Sequence, residues 1–249
     1  VCFDLDSRPP IPRIAGAAVD HRDLVLEAAD GTRLAAFEAS PSTPGRVGIV
    51  VLPDVRGLYR FYEELALRFA ERGYLAVAFD YFGRTAGVAR RDDAFPYMEH
   101  VALTTPEGIQ ADVAAAVAHL RAEGCTSVLT VGFCFGGRHS WLAAAAGHAL
   151  AGAVGFYGST GERNGQPGPT QVASSITAPI LGLQAGDDAH ITAADNDGFA
   201  AALAAAGVEH EIVTFAGAPH SFFDRRYEEH AGASADAWRR VLAFVDQHG

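Results

Sequence analysis

Apolar residues in this chain gather into short, nearly continuous runs at residues 46–52, 74–79, 127–131, 150–156 and 179–184. Runs without a polar face mark strands covered on both sides, as in a parallel sheet. Residues 23–28 and 32–39 read as two strands around a tight turn at Ala29-Asp30-Gly31, because Asp-Gly favours left-handed turn geometry; residues 209–215 read as a last strand. Helical spacing takes over between the runs: at 59–72, where Leu65 and Phe69 recur and Gly73 is the stop; at 105–123, where Pro106 fits a first turn; and at 135–147, 193–206 and 234–248. Residues 84–106 show no clean period and read as a loop with short helical pieces, and 158–175, rich in Gly, Pro and Ser, as surface loop. This alternation predicts an α/β fold, a mostly parallel central sheet covered by helices on both faces and joined by right-handed crossovers. In such sheets ligands bind beyond the carboxyl ends of the strands.

Composition narrows this picture. A length of 249 residues suits one α/β domain over 21–249, with residues 1–20, rich in Pro and Arg, as a loosely attached lead-in. The 19 basic and 30 acidic residues leave a net charge of −11, which repels nucleic acid and anionic membrane surfaces. Cys2, Cys125 and Cys134 are too few and too irregularly placed for a disulfide framework, which points to a reducing compartment. The start carries no basic-then-apolar leader and no run reaches membrane-spanning length. The expectation is a soluble cytoplasmic protein, a monomer or small homo-oligomer, acting on a small molecule.

The stretch with the most chemistry is Gly132-Phe133-Cys134-Phe135-Gly136-Gly137, between a strand and a helix. A nucleophile elbow is a sharp strand-to-helix turn that exposes its central side chain and needs glycines where backbones approach closely. Cys134 is that central residue, and a thiol above a helix N-terminus ionises readily. Asp187 and Asp188 follow the strand at 179–184, and His220 follows the strand at 209–215. His220 is suited to take the thiol proton and return one to the leaving group, and by composition either aspartate can fix its tautomer. The order nucleophile, acid, histidine is that of α/β-hydrolase triads and differs from the chymotrypsin and subtilisin orders.

The loop Pro53-Asp54-Val55-Arg56-Gly57 follows the strand at 46–52, so the N–H groups of Val55 and Phe135 are the candidate oxyanion donors. Asp54 would keep a nearby thiol protonated unless its charge serves to gate it. Arg56 and Arg60 could receive a substrate carboxylate or pair with acids nearby. Tyr59, Tyr81, Phe82, Tyr97, Tyr157, Phe222 and Phe223 fall in strand-end loops as candidates for pocket wall or core, and His190 rivals His220 as partner of the acid. His139, on the helix after the elbow, reads as packed or solvated. No zinc spacing, H-E-x-x-H or G-x-G-x-x-G is present, so neither a metal nor a cofactor is expected.

These stretches, with Gly73-Tyr74-Leu75-Ala76-Val77-Ala78-Phe79-Asp80, Val154-Gly155-Phe156-Tyr157-Gly158 and His220-Ser221-Phe222, resemble the dienelactone hydrolase (carboxymethylenebutenolidase) family over residues 23–245. That family is a branch of the α/β-hydrolase fold with a cysteine nucleophile. The resemblance implies Cys134 as nucleophile, Asp188 as acid and His220 as base. It also implies that Asp54 stands where the family has a Glu that holds the resting thiol inactive until substrate enters. One of the family's two carboxylate-gripping arginines falls on Asp224, with Arg225 and Arg226 just beyond, and the other falls within residues 90–97. The implied activity is hydrolysis of a carboxylic ester or lactone through a thioester. A thioesterase or cyclising acyl transferase on the same triad, and a non-catalytic small-molecule binder, are the alternatives.

Overall fold

The computed structural model describes residues 7–17, 19–43 and 45–249, so Cys2 and the start of the lead-in lie outside the described residues. The chain opens with strands β1 (Val19–Glu27) and β2 (Arg33–Pro41), a hairpin turning at Asp30-Gly31. Strand β3 (Val47–Leu52), helix α1 (Arg60–Ala70) and β4 (Leu75–Phe79) follow. Short helices α2 (Gly83–Ala86) and α3 (Tyr97–Val101) interrupt the aperiodic stretch before α4 (Pro106–Ala122), β5 (Ser127–Phe133) and α5 (Phe135–Ala143). The rest is β6 (Gly152–Phe156), β7 (Ile180–Asp187), α6 (Ala193–Ala205), β8 (His210–Pro219) and α7 (Ala231–His248).

The strands form one sheet in the order β1-β2-β4-β3-β5-β6-β7-β8. β2 runs antiparallel to both its neighbours and every other pairing is parallel. With helices on both faces this is the α/β-hydrolase fold.

Alternate residues of each central strand feed different cores, because successive side chains point to opposite faces. Ile49 and Val51 join Phe61, Leu65 and Phe69 of α1 and Trp238, Val241 and Val245 of α7. Val50 and Leu52 join Val113 and Leu120 of α4, Trp141 of α5 and Phe199 and Leu203 of α6. Both faces being apolar is why the strand signal was a run and not an alternation. Ahead of β1, Ile11 is buried and Arg13 donates to both carboxylate oxygens of Glu64 on α1, at 3.1 and 2.9 Å. No helix among the described residues is long and apolar enough to cross a membrane.

Among the boundaries that differ from the pattern-based ones, three have a clear local cause. β7 and β8 run on to Asp187 and Pro219 because they keep pairing through an irregularity between Ala185 and Asp187, although Gly and Pro in that stretch read as loop. α5 stops at Ala143, where the N–H groups of Ala144, Ala145 and Ala146 turn back to carbonyls three residues earlier.

Candidate active site

The elbow is tight enough to require its glycines. A Cβ on Gly132 would lie 2.0 Å from the Gly136 carbonyl oxygen, and one on Gly136 would lie 2.1 Å from that of Leu52. Between them Cys134 has φ 54° and ψ −110°, and its N–H donates to the Phe156 carbonyl at 2.9 Å. Positive φ in a non-glycine residue costs about 1–3 kcal/mol and persists only where its surroundings enforce it. Tyr157 (φ 36°) and Ser221 (φ 65°), the residues after β6 and after His220, share this geometry, as do Ala149 and Asn164 elsewhere.

Sheet register brings the acid and the imidazole together. Asp187 pairs with Pro219 across β7 and β8, which sets Asp188 beside His220. The Nδ1–H of His220 donates to Asp188 Oδ2 at 2.7 Å, while Asp188 Oδ1 accepts the backbone N–H groups of His190 at 2.9 Å and Ile191 at 3.3 Å. Asp187 is exposed and His190 meets Asp188 only through its backbone, so neither rival takes the place the composition left open to it. Burial alone would lower the pKa of His220, but hydrogen bonds to Asp188 and to Cys134 outweigh it and push it up to about 10. Burial likewise pushes Asp188 up, and the hydrogen bonds from His220 and the two backbone N–H groups outweigh it, holding the carboxyl below its ordinary range. Sulfur, imidazole and carboxylate thus form one hydrogen-bonded chain.

Val55, Phe135, Cys134 and His220 border a cavity of about 720 Å³. Met98, Val101 and Ala102 of the stretch after β4, Ile109 of α4, Leu142 of α5 and Ile191 give it apolar walls. Phe135 is the first residue of α5, where backbone N–H groups have no carbonyl one turn back, and among the described residues neither its N–H nor that of Val55 takes a backbone carbonyl. A second cavity, of about 640 Å³ between α1 and the β1–β2 hairpin, holds none of these groups.

Residues 34–249 match the model of the Dienelactone hydrolase family. The chain belongs to the dienelactone hydrolase family. It is 31% identical over 228 residues, 88% of this chain and 84% of the other, to the protein named "Putative carboxymethylenebutenolidase" in Escherichia coli (strain K12). It is 29% identical to the carboxymethylenebutenolidase of Rhodococcus opacus, covering 100% of this chain and 97% of that one. The crystal structure of "Putative Dienelactone Hydrolase" from Klebsiella pneumoniae has a TM-score of 0.82, with 29% identity over 92% of this chain and 99% of that one. Family membership makes this a carboxylic ester hydrolase of the dienelactone-hydrolase type.

In this family member the remaining candidates fall elsewhere. Asp54 is fully buried; its Oδ1 accepts the Arg56 N–H at 2.8 Å and its own N–H donates to the Tyr62 hydroxyl at 2.9 Å. Arg56 is buried too, 3.7 Å from the Asp54 carboxylate and over the Tyr59 ring at 5.1 Å, so it does not face the cavity as a carboxylate receptor. Arg60 pairs with Glu64 on the surface. Tyr81 is core, bonding the Pro53 carbonyl at 2.8 Å and meeting Phe135 edge-on; Phe222 is core beside Phe156 and Tyr157; Tyr97 packs half-buried against the core. Arg90 pairs with Glu63 and Arg91 with Asp80, so neither borders the cavity.

Composition gave no signal for Arg138, which is buried on α5 and donates to the carbonyls of Ser159 (3.3 Å), Gly161, Gln166 (3.4 Å) and Pro167 (2.9 Å), clamping the cavity's loop wall. Glu38, His119 and Glu123 are the described residues that could hold a metal ion, with ligand atoms within 4.8 Å of one another. Arg22 already pairs with both carboxylates there, at 2.8 and 3.1 Å, and none of these residues borders the cavity.

Proposed function

We propose that this hydrolase uses Cys134 as nucleophile, His220 as general base and then acid, and Asp188 as orienting carboxylate to hydrolyse an ester or lactone through a thioester. The observation that carries the reading is the chain from Asp188 through His220 to Cys134 at the edge of a cavity. His220, holding its Nδ1–H on Asp188, carries the thiol proton as an imidazolium that Asp188 stabilises, in keeping with its raised pKa, and so keeps Cys134 as thiolate. The Cys134 thiolate adds to the carbonyl carbon, and the oxyanion falls to the N–H groups of Val55 and Phe135. The carbon–oxygen bond of the ester then breaks, the departing alkoxide takes the imidazolium proton, and a thioester remains. Water gives a proton to His220, attacks the thioester and expels the thiolate, releasing the acid. The carboxymethylenebutenolidase name of the Rhodococcus opacus relative supports a lactone among the substrates.

The test is turnover of p-nitrophenyl acetate and a small lactone by wild type and Cys134→Ala. The substitution is expected to lower kcat/KM on the order of a thousandfold or more while leaving the fold intact. Equal turnover by the two proteins would overturn the assignment, and a steady burst of p-nitrophenol in stopped flow would support the thioester.

A further inference from the structure

Hydrogen bonds to Asp188, at Nδ1, and to Cys134 fix the edges of the His220 ring and leave it free to rock about the line joining them. A group packed on one face of the imidazole stops that motion. Tyr157 is such a group: its ring centroid lies 4.9 Å from that of His220, with the planes inclined at 55°. The tyrosine is fully buried directly after β6, and its backbone sits at φ 36° with its N–H on the Leu183 carbonyl at 2.9 Å. Its hydroxyl donates to Asp224 Oδ2 at 2.8 Å. Asp224 is 1% exposed and lies on the same turn as His220, with its N–H on the Ser221 carbonyl at 3.2 Å and its other oxygen taking the Arg225 N–H.

We propose that Asp224 is a positioning residue for His220, acting through Tyr157: their hydrogen bond holds the phenol as the face on which the imidazole rests while it bridges Asp188 and Cys134. The proposal rests on the reading of His220 as the base. The groups facing Asp224 fit it. Burial, together with the charges of Asp54 and Cys134, pushes its carboxyl well above the ordinary range, against the smaller pull of the Arg225 N–H and the Tyr157 hydroxyl. Burial thus disfavours charge on Asp224, while both of its oxygens accept, Oδ2 from the Tyr157 hydroxyl and Oδ1 from the Arg225 N–H. Asn is its nearest mimic. The other groups facing His220 are Asp188 and Cys134, and because Cys134 and Asp224 feel each other's charge, Asp224→Asn is the variant that separates loss of charge from loss of the hydrogen bond.

The experiment compares Asp224→Ala, Asp224→Asn, Tyr157→Phe and the Asp224→Ala/Tyr157→Phe double variant on p-nitrophenyl acetate, with the His220 Nδ1–H resonance followed by proton NMR. Asp224→Ala and Tyr157→Phe should each lower kcat about fivefold to tenfold, as loss of one neutral hydrogen bond does, with KM changed less than about twofold and the resonance broadened. Asp224→Asn should restore most of the rate and the sharp resonance at an unchanged pH profile. The double variant should be no slower than the slower single one. An unchanged kcat and resonance in Asp224→Ala overturns the proposal, as does Asp224→Asn that is as slow as Asp224→Ala with a displaced pH profile, since charge and not the hydrogen bond would then matter. Should Asp224→Ala not fold, Tyr157→Phe and Asp224→Asn decide alone on the same criteria. If Cys134→Ala proves as active as wild type, the nucleophile assignment falls, and the resonance still reports whether Asp224 holds the ring.

Discussion

At His220 and Asp188, charge and position are one problem. His220 has its pKa raised to about 10 in the folded protein, so its contribution to stability is complete below its unfolded value of about 6.5 and is lost as pH climbs toward 10. Asp188 is lowered, so its contribution is present above its unfolded value of about 3.9 and is lost as pH falls below that. Asp188→Asn should therefore melt below wild type by the largest margin between about pH 4 and 6.5, with the two curves converging toward pH 10 and toward pH 3. Because the His220 side chain is 31% exposed, solvent screening keeps the margin well short of what the shift alone implies. Asn at 188 also presents an amide that favours the wrong imidazole tautomer, and kcat should fall on the order of 10³- to 10⁴-fold. Thermal melts across pH, alongside esterase rates, check both. At this scale the sequence displayed every chemical group in the chain of hydrogen bonds. It could not choose between Asp187 and Asp188 by composition, because that choice is made by the register of β7 against β8.

Elements decide what the cavity looks like. The elbow was legible because a close approach leaves glycines in the sequence, and Gly132 and Gly136 lie against main-chain oxygens. The walls were not. An aromatic residue after a strand has the same appearance whether it faces a ligand or a neighbouring ring, and Tyr81 and Phe222 face rings. Arg138 left no trace either, since its partners are carbonyls, which every residue has. Its role predicts a particular phenotype. Arg138→Ala should loosen the 159–167 wall, raising KM more than it lowers kcat and opening that loop to limited proteolysis. Arg138→Lys should rescue little, because an ammonium cannot span four carbonyls as a planar guanidinium does. Kinetics and a protease time course on the three proteins test this. Equal KM and equal cleavage would remove Arg138 from the wall.

For the molecule as a whole, the alternation of strand and helix was enough to predict a sheet covered on both faces. Strand order was not legible, because β4 lies between β2 and β3 through pairings that side-chain patterns do not encode. Global stability carries one signature of its own. His139 is buried against Phe135, ring centroids 4.4 Å apart, and burial, with a smaller push from Arg138, lowers its pKa to about 3. The unfolded chain takes up this proton near pH 6.5 and the folded chain does not until about 3, so stability should fall as pH drops through that interval. His139→Gln should flatten the decline. Denaturant midpoints between pH 7 and 4 measure it, and parallel slopes in the two proteins would exclude His139 as the source.

The cavity borders come largely from two connections, the stretch between β4 and α4 and the loop after β6, whereas sulfur, imidazole and carboxylate sit at the ends of strands. With the proposed roles of Cys134, His220 and Asp188, reaction and choice of reactant are thereby written in separate parts of the chain. Grafting either connection from a relative would retune what enters without disturbing the hydrogen-bonded machinery beneath, an arrangement in which new appetites can be acquired while the digestive step is inherited intact.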